Sequence, residues 1–65
     1  MELFVNGEAR ELAVADVAEL VVALGLQGRR VAVELNGAVV PKSRHAMQPL
    51  KAGDRIELVH ALGGG

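Results

Sequence analysis

An α+β fold, with one helix packed on one face of a small mixed sheet, is what this sequence of 65 residues predicts. Three observations carry it. Several short segments alternate apolar and polar residues at the two-residue period of a half-buried strand. Two Asn-Gly pairs, Asn6-Gly7 and Asn36-Gly37, stand beside such segments, where they favour tight hairpin turns. One stretch only, Asp16 to Leu26, changes to helical spacing, and it carries start and stop signals at its ends.

The first strand sets Met1, Leu3 and Val5 against Glu2 and Phe4. Asn6-Gly7 turns the chain into a return segment, Glu8 to Val14, whose pattern is less clean. A two-residue turn pairs Val5 with Glu8 and Leu3 with Arg10, which puts charges beside buried positions. Either the loop is one residue longer, or this is an edge strand whose side-chain tips reach solvent. In the helix, Asp16 is the cap and Glu19, three residues on, completes a capping box. Val17, Leu20, Val21 and Leu24 fall at i, i+3, i+4 and i+7 and form one apolar stripe, so the helix lies on a sheet. Gly25 is placed to end it in a left-handed conformation, with Leu26 folding back against it. Arg30 to Leu35 alternates again with Val31, Val33 and Leu35 on one side; Asn36-Gly37 follows, then a short strand Ala38 to Val40 that Pro41 ends. Lys42 to Pro49 reads as an irregular polar connection. Lys51 to Asp54 forms a turn into a last strand, Arg55 to Val59, with Ile56 and Leu58 inward. A single helix covers one face of the sheet only, and the other face is left bare.

Composition narrows the function. A chain this short buries only about 60% of the surface it exposes when unfolded, and it has no cysteine for a disulfide or a thiolate metal site. A hydrophobic fraction of 51% is that of a packed domain, and with Phe4 the one aromatic residue, Leu, Val and Ile build the core. Seven basic and eight acidic residues leave a net charge of −1, which offers nothing to nucleic acid or to an anionic membrane. The run Leu20 to Leu24 is too short to span a bilayer. A chain complete from Met1, without a secretory signal and in the cytoplasm, is the expectation.

Catalytic residues are not in evidence. Ser43 is the single serine and neither His45 nor His60 has an evident partner to make an activated nucleophile, and two histidines without nearby acidic ligands make a poor metal site. The carboxylates are scattered, and no phosphate-binding glycine loop precedes a helix. What remains is Gly63-Gly64-Gly65, directly after the last strand. Glycine without side chains makes a slim, mobile stalk. A terminal carboxylate on such a stalk can thread an active-site channel in which any Cβ would clash. This is the design of a substrate presented to another enzyme.

The segments LNGAVVPKS and LKAGDRIELVHALGGG, on a scaffold of this length and order, resemble the β-grasp sulfur carriers, the ubiquitin-like ThiS/MoaD family. The likeness covers the whole chain; its most diagnostic parts are Leu50, Gly53, Asp54 and Ile56 at the last turn and the terminal Gly64-Gly65. It implies a β-grasp domain over residues 1–62 and a flexible glycine tail over 63–65. It also implies a chemistry: an E1-like adenylating enzyme activates the Gly65 carboxylate with ATP, and sulfur from a persulfide donor protein displaces AMP to leave a thiocarboxylate. In thiamin biosynthesis that sulfur passes to thiazole synthase. On this expectation the chain binds no cofactor itself, is a co-substrate and not a catalyst, and uses Gly63 and Gly64 for reach.

In a β-grasp sheet the last strand lies between the first and the third, so Phe4, Ala32 and Val59 are expected as neighbours on the bare face. Together with Ala61 and Leu62 they form an expected partner-binding patch, with His60 as a minor contact. The alternative for Phe4 is simple packing at the sheet's edge. Other functions left open are the small subunit of molybdopterin synthase, carriers for cysteine synthesis or tRNA thiolation, and a ubiquitin-like binding module whose tail is idle or conjugated to lysine.

Overall fold

The structure, a computed structural model, describes residues 1–60. Strands β1 (Glu2–Val5) and β2 (Glu8–Glu11) form a hairpin, helix α1 (Val17–Ala23) follows, β3 (Val31–Leu35) and β4 (Ala38–Val40) form a second hairpin, and β5 (Arg55–His60) comes last. The spatial order is β2-β1-β5-β3-β4. β5 runs parallel to β1 and antiparallel to β3, so the sheet is mixed. This is the expected α+β layout with the last strand at the centre, the β-grasp arrangement.

Both Asn-Gly turns take the form that two-residue hairpins require, with positive φ at Asn6, Gly7, Asn36 and Gly37. The tight first turn decides the open question about β2. Val5 does face Glu8 and Leu3 does face Arg10, and β2 is an edge strand with every side chain exposed. Its charges therefore reach water. β2 is shorter than the expected Glu8 to Val14. Leu12 N–H still donates to the Met1 carbonyl at 2.9 Å, but the chain then leaves the sheet for the helix, and Val14 turns into the core.

Asp16 caps α1, with Oδ1 accepting the Glu19 N–H at 2.8 Å. The Glu19 carboxylate reaches one residue further back than expected and accepts the Ala15 N–H at 2.8 Å. At the other end the Gly25 N–H donates to the Val22 carbonyl and the Leu26 N–H to the Val21 carbonyl. That pair of bonds, with Gly25 at φ +74°, is a Schellman ending. Val17 and Leu20 on the helix pack against Leu3, Val5, Val33 and Ile56 of the sheet, with Val14, Val40 and Leu50 completing the core.

Two further elements differ from expectation. The connection after Pro41 is a 3₁₀ helix over Lys42–Met47, not an irregular loop. Its side chains are exposed except for half-buried His45, so no apolar period marked it. β5 continues one residue past Val59, because Val31 at the start of β3 is there to pair with His60.

Candidate functional site

β5 is the last described element before residues 61–65, and its neighbours make up the candidate site. The strand is held on both flanks. On the β3 side the Asn36 N–H donates to the Arg55 carbonyl at 2.7 Å, while the Asn36 Oδ1 accepts the Arg55 N–H at 2.9 Å. Asn36 Nδ2 donates in turn to Asp54 Oδ1 at 3.1 Å, and Asp54 Oδ2 accepts the Lys51 N–H at 2.9 Å. Asp54 is buried at 5% exposure, so its two oxygens tie the last turn to the β3–β4 hairpin out of reach of water. On the β1 side the Asn6 N–H donates to the Ile56 carbonyl at 2.9 Å, and Asn6 Oδ1 accepts the Leu58 N–H at 2.8 Å. Both asparagines thus serve twice, once through a left-handed backbone and once through a side chain that continues the ladder where its backbone has turned away. The sequence shows only the first role, because the partners lie 19 and 52 positions away.

On the open face of the sheet, Ala32 and Val59 are directly paired across β3 and β5, and Val59 is 58% exposed. Phe4 is not beside them. It is half-buried and lies opposite Arg55 on β5 and Ala9 on β2. Four residues of strand, about 13 Å, separate that level from Val59, and the paired carboxylates Glu34 and Glu57 stand between. The expected contiguous patch is therefore divided. The reason is register: β1 runs parallel to β5 but flanks only its first half. Val39, 68% exposed, was not anticipated; it pairs with Glu34 and lies diagonal to Ala32. The inward turn of Val40 was the signal that its neighbour faces out. Ala32 and Val59 thus make up the apolar end of the face, beyond which residues 61–65 follow in the chain, and Val39 stands one pair earlier, at the level of Glu34 and Glu57.

Ala61, Leu62, Gly63, Gly64 and Gly65, and with them the boundary expected at residue 62, lie outside the described residues. The remaining polar candidates do not converge. His45 sits with Nε2 3.2 Å from the Val40 carbonyl, Ser43 is exposed on the 3₁₀ helix, and His60 is exposed at the end of β5. Among the described residues no three His, Cys, Asp or Glu side chains are grouped to hold a metal ion. None of their helices is long and apolar enough to cross a membrane.

Comparison with known proteins agrees with this geometry. The model of the ThiS family matches residues 3–65. The crystal structure of the thiamine biosynthesis protein ThiS from Geobacter metallireducens superposes with a TM-score of 0.85 at 38% identity, covering all of both chains. The solution structure of a thiamine biosynthesis protein from the same organism gives 0.79 at 38% identity, covering all of this chain and 88% of the other. Two curated relatives are named thiazole synthase. That of Paramagnetospirillum magneticum is 41% identical over 66 residues and that of Magnetococcus marinus 38% over 66 residues. The chain spans about a fifth of the length of these two proteins.

Proposed function

The chain belongs to the ThiS family, and from that premise we propose that it is a sulfur carrier of thiamin biosynthesis whose reacting group is the Gly65 carboxylate. The observation that carries the proposal is the family match over residues 3–65, which takes in the terminal glycines. The clamping of β5 agrees with it: a carrier needs a rigid stem, so that a partner gripping the domain also aims the segment beyond His60.

The chemistry proceeds in three steps. A carboxylate oxygen of Gly65 attacks the α-phosphorus of ATP held by an E1-like adenylating enzyme; the bond to pyrophosphate breaks and an acyl-adenylate forms. The terminal sulfur of a persulfide on a donor protein then attacks the acyl carbon and expels AMP. A thiol cleaves the S–S bond of the resulting acyl disulfide and leaves a thiocarboxylate, a soft nucleophile that thiazole synthase accepts as its sulfur source. The carrier supplies no acid or base, and ATP is bound by the activating partner alone. Two relatives named thiazole synthase contain a stretch similar to this chain within a longer protein, which supports thiazole synthase as the acceptor.

The test is the intact mass of the chain after incubation with ATP, an E1-like activating enzyme and a persulfide donor, beside a variant lacking Gly65. Exchange of one oxygen for one sulfur on the full chain alone is the expected result. An unchanged mass, with the activating enzyme active on another carrier, refutes the proposal. An adduct through a lysine amide transfers the chain to the conjugated modifiers.

A further inference from the structure

A second feature lies on the helix side of the sheet. Between α1, the 3₁₀ helix and the start of β3 lies a groove of about 530 Å³. Its floor is apolar, from Val21, Val22, Leu26 and Val31, and Val22 is 53% exposed within it. Its rim is cationic. Arg29, Arg30 and Lys42 line it, three of the seven basic residues of the chain, and none of the eight acidic residues does. The Schellman ending draws Leu26 under the helix, and a turn through Gly28 at φ +80°, closed by the Arg29 N–H on the Leu26 carbonyl, sets both arginines at the mouth. Four of the eight carboxylates, Glu2, Glu11, Glu34 and Glu57, stand at paired positions on the open face, and Glu19 lies on the neighbouring side of α1.

Cations around a low-dielectric groove concentrate positive potential inside it. From Ala18 to Ala23 the groove follows about 7.5 Å of helix at 1.5 Å per residue, the length of about two extended residues, and the residues from Leu26 to Val31 carry it further. We propose that this groove docks a short, extended, acidic segment of a partner protein, with aliphatic side chains on the floor and carboxylates at the Arg29 and Lys42 rim. The sign of the rim selects acidic side chains, and the exposed Val22 and half-buried Leu26 of the floor select apolar ones. Val31 and Ala32, which line the groove, are paired with His60 and Val59, so a partner held here sits beside the end of β5. The proposal is independent of the sulfur chemistry.

The experiment is an NMR titration of the ¹⁵N-labelled full chain with the peptide acetyl-Asp-Leu-Glu-Leu-Asp-amide at low salt. Amide shifts are expected at Val22, Leu26, Gly28, Val31 and Ala46, with none at Phe4 or Val59. The R29E/K42E double variant changes two exposed side chains and should keep a dispersed spectrum while binding at least about tenfold more weakly; the single variant K42E gives the same direction. A peptide with Ser for Leu should also lose about tenfold. Equal binding of a peptide with Lys in place of each acid, shifts on the open face, or no shift at all overturns the proposal. So do the same shifts produced by inorganic phosphate alone, or by raising the concentration of the chain alone, which assigns the groove to a simple anion or to a second copy. The sulfur-exchange mass assay does not depend on any of these outcomes.

Discussion

Replacing Asn6 separates two functions that one side chain performs, and the structure gives a magnitude for each. Asn6→Gly keeps the turn, because glycine adopts the φ of +50° at that position without strain. It removes the 2.8 Å acceptor of the Leu58 N–H. A hydrogen bond of this kind contributes about 1 kcal/mol, and the added freedom of glycine in the unfolded chain costs about 0.5 kcal/mol more. A loss of about 1.5 kcal/mol follows. Asn6→Ala loses the same bond and also places a Cβ in the left-handed region, at about 1–2 kcal/mol, so it should lose about 2–3 kcal/mol. Asn6→Asp retains both the acceptor and the tolerance of positive φ, and should stay within about 0.5 kcal/mol of the parent. Urea denaturation measures all three. In a domain of this size each kcal/mol lowers Tm by about 4–8 °C. Amide exchange at Leu58 adds a local readout, since the glycine variant should release that amide selectively. A glycine variant as stable as the parent, with Leu58 equally protected, would refute the clamp on β5. Equal losses for Gly and Ala would refute the backbone part of the argument.

Three further outcomes are expected. Asp54→Ala strips acceptors from the Lys51 N–H and the Asn36 amide at a buried site and should cost about 2–3 kcal/mol in urea denaturation; a loss below 1 kcal/mol would mean that water replaces the carboxylate. Asp16→Ala removes the N-cap acceptor of Glu19 and should cost about 1 kcal/mol, seen as a lower Tm without loss of the folded spectrum. On the open face, Val59→Asp should weaken binding to the activating enzyme by about tenfold or more, because Val59 lies beside Ala32 at the end that leads to residues 61–65. Phe4→Asp, about 13 Å away along the strand, should weaken it less. Calorimetric titration that ranks the two in the opposite order would return Phe4 to the centre of the interface.

Much of the scaffold could be read from neighbouring residues. The period of Val31, Val33 and Leu35 gave one strand, and the stripe from Val17 to Leu24 gave the helix. Asp16, Glu19 and Gly25 marked its ends through groups within a turn of each other. The 3₁₀ helix was missed because Lys42–Met47 buries no face and so leaves no periodic trace. The candidate site was half legible. Alternation assigned Phe4, Ala32 and Val59 to one face, but it could not say how far along β5 each would stand.

The sequence by itself therefore determined the elements, their turns and the side of the sheet that each residue faces, because these follow from steric preferences and hydrogen bonds spanning a few residues. The tertiary structure alone decided what stands beside what. The parallel registration of β1 with β5 split Phe4 from Val59. Long-range bonds turned Asn6 and Asn36 from turn residues into clamps on β5. The packing of α1 beside the 3₁₀ helix left a groove between them. Each of these depends on contacts between segments far apart in the chain, and a two-residue period looks the same after every two-residue shift until the partner strand is in place.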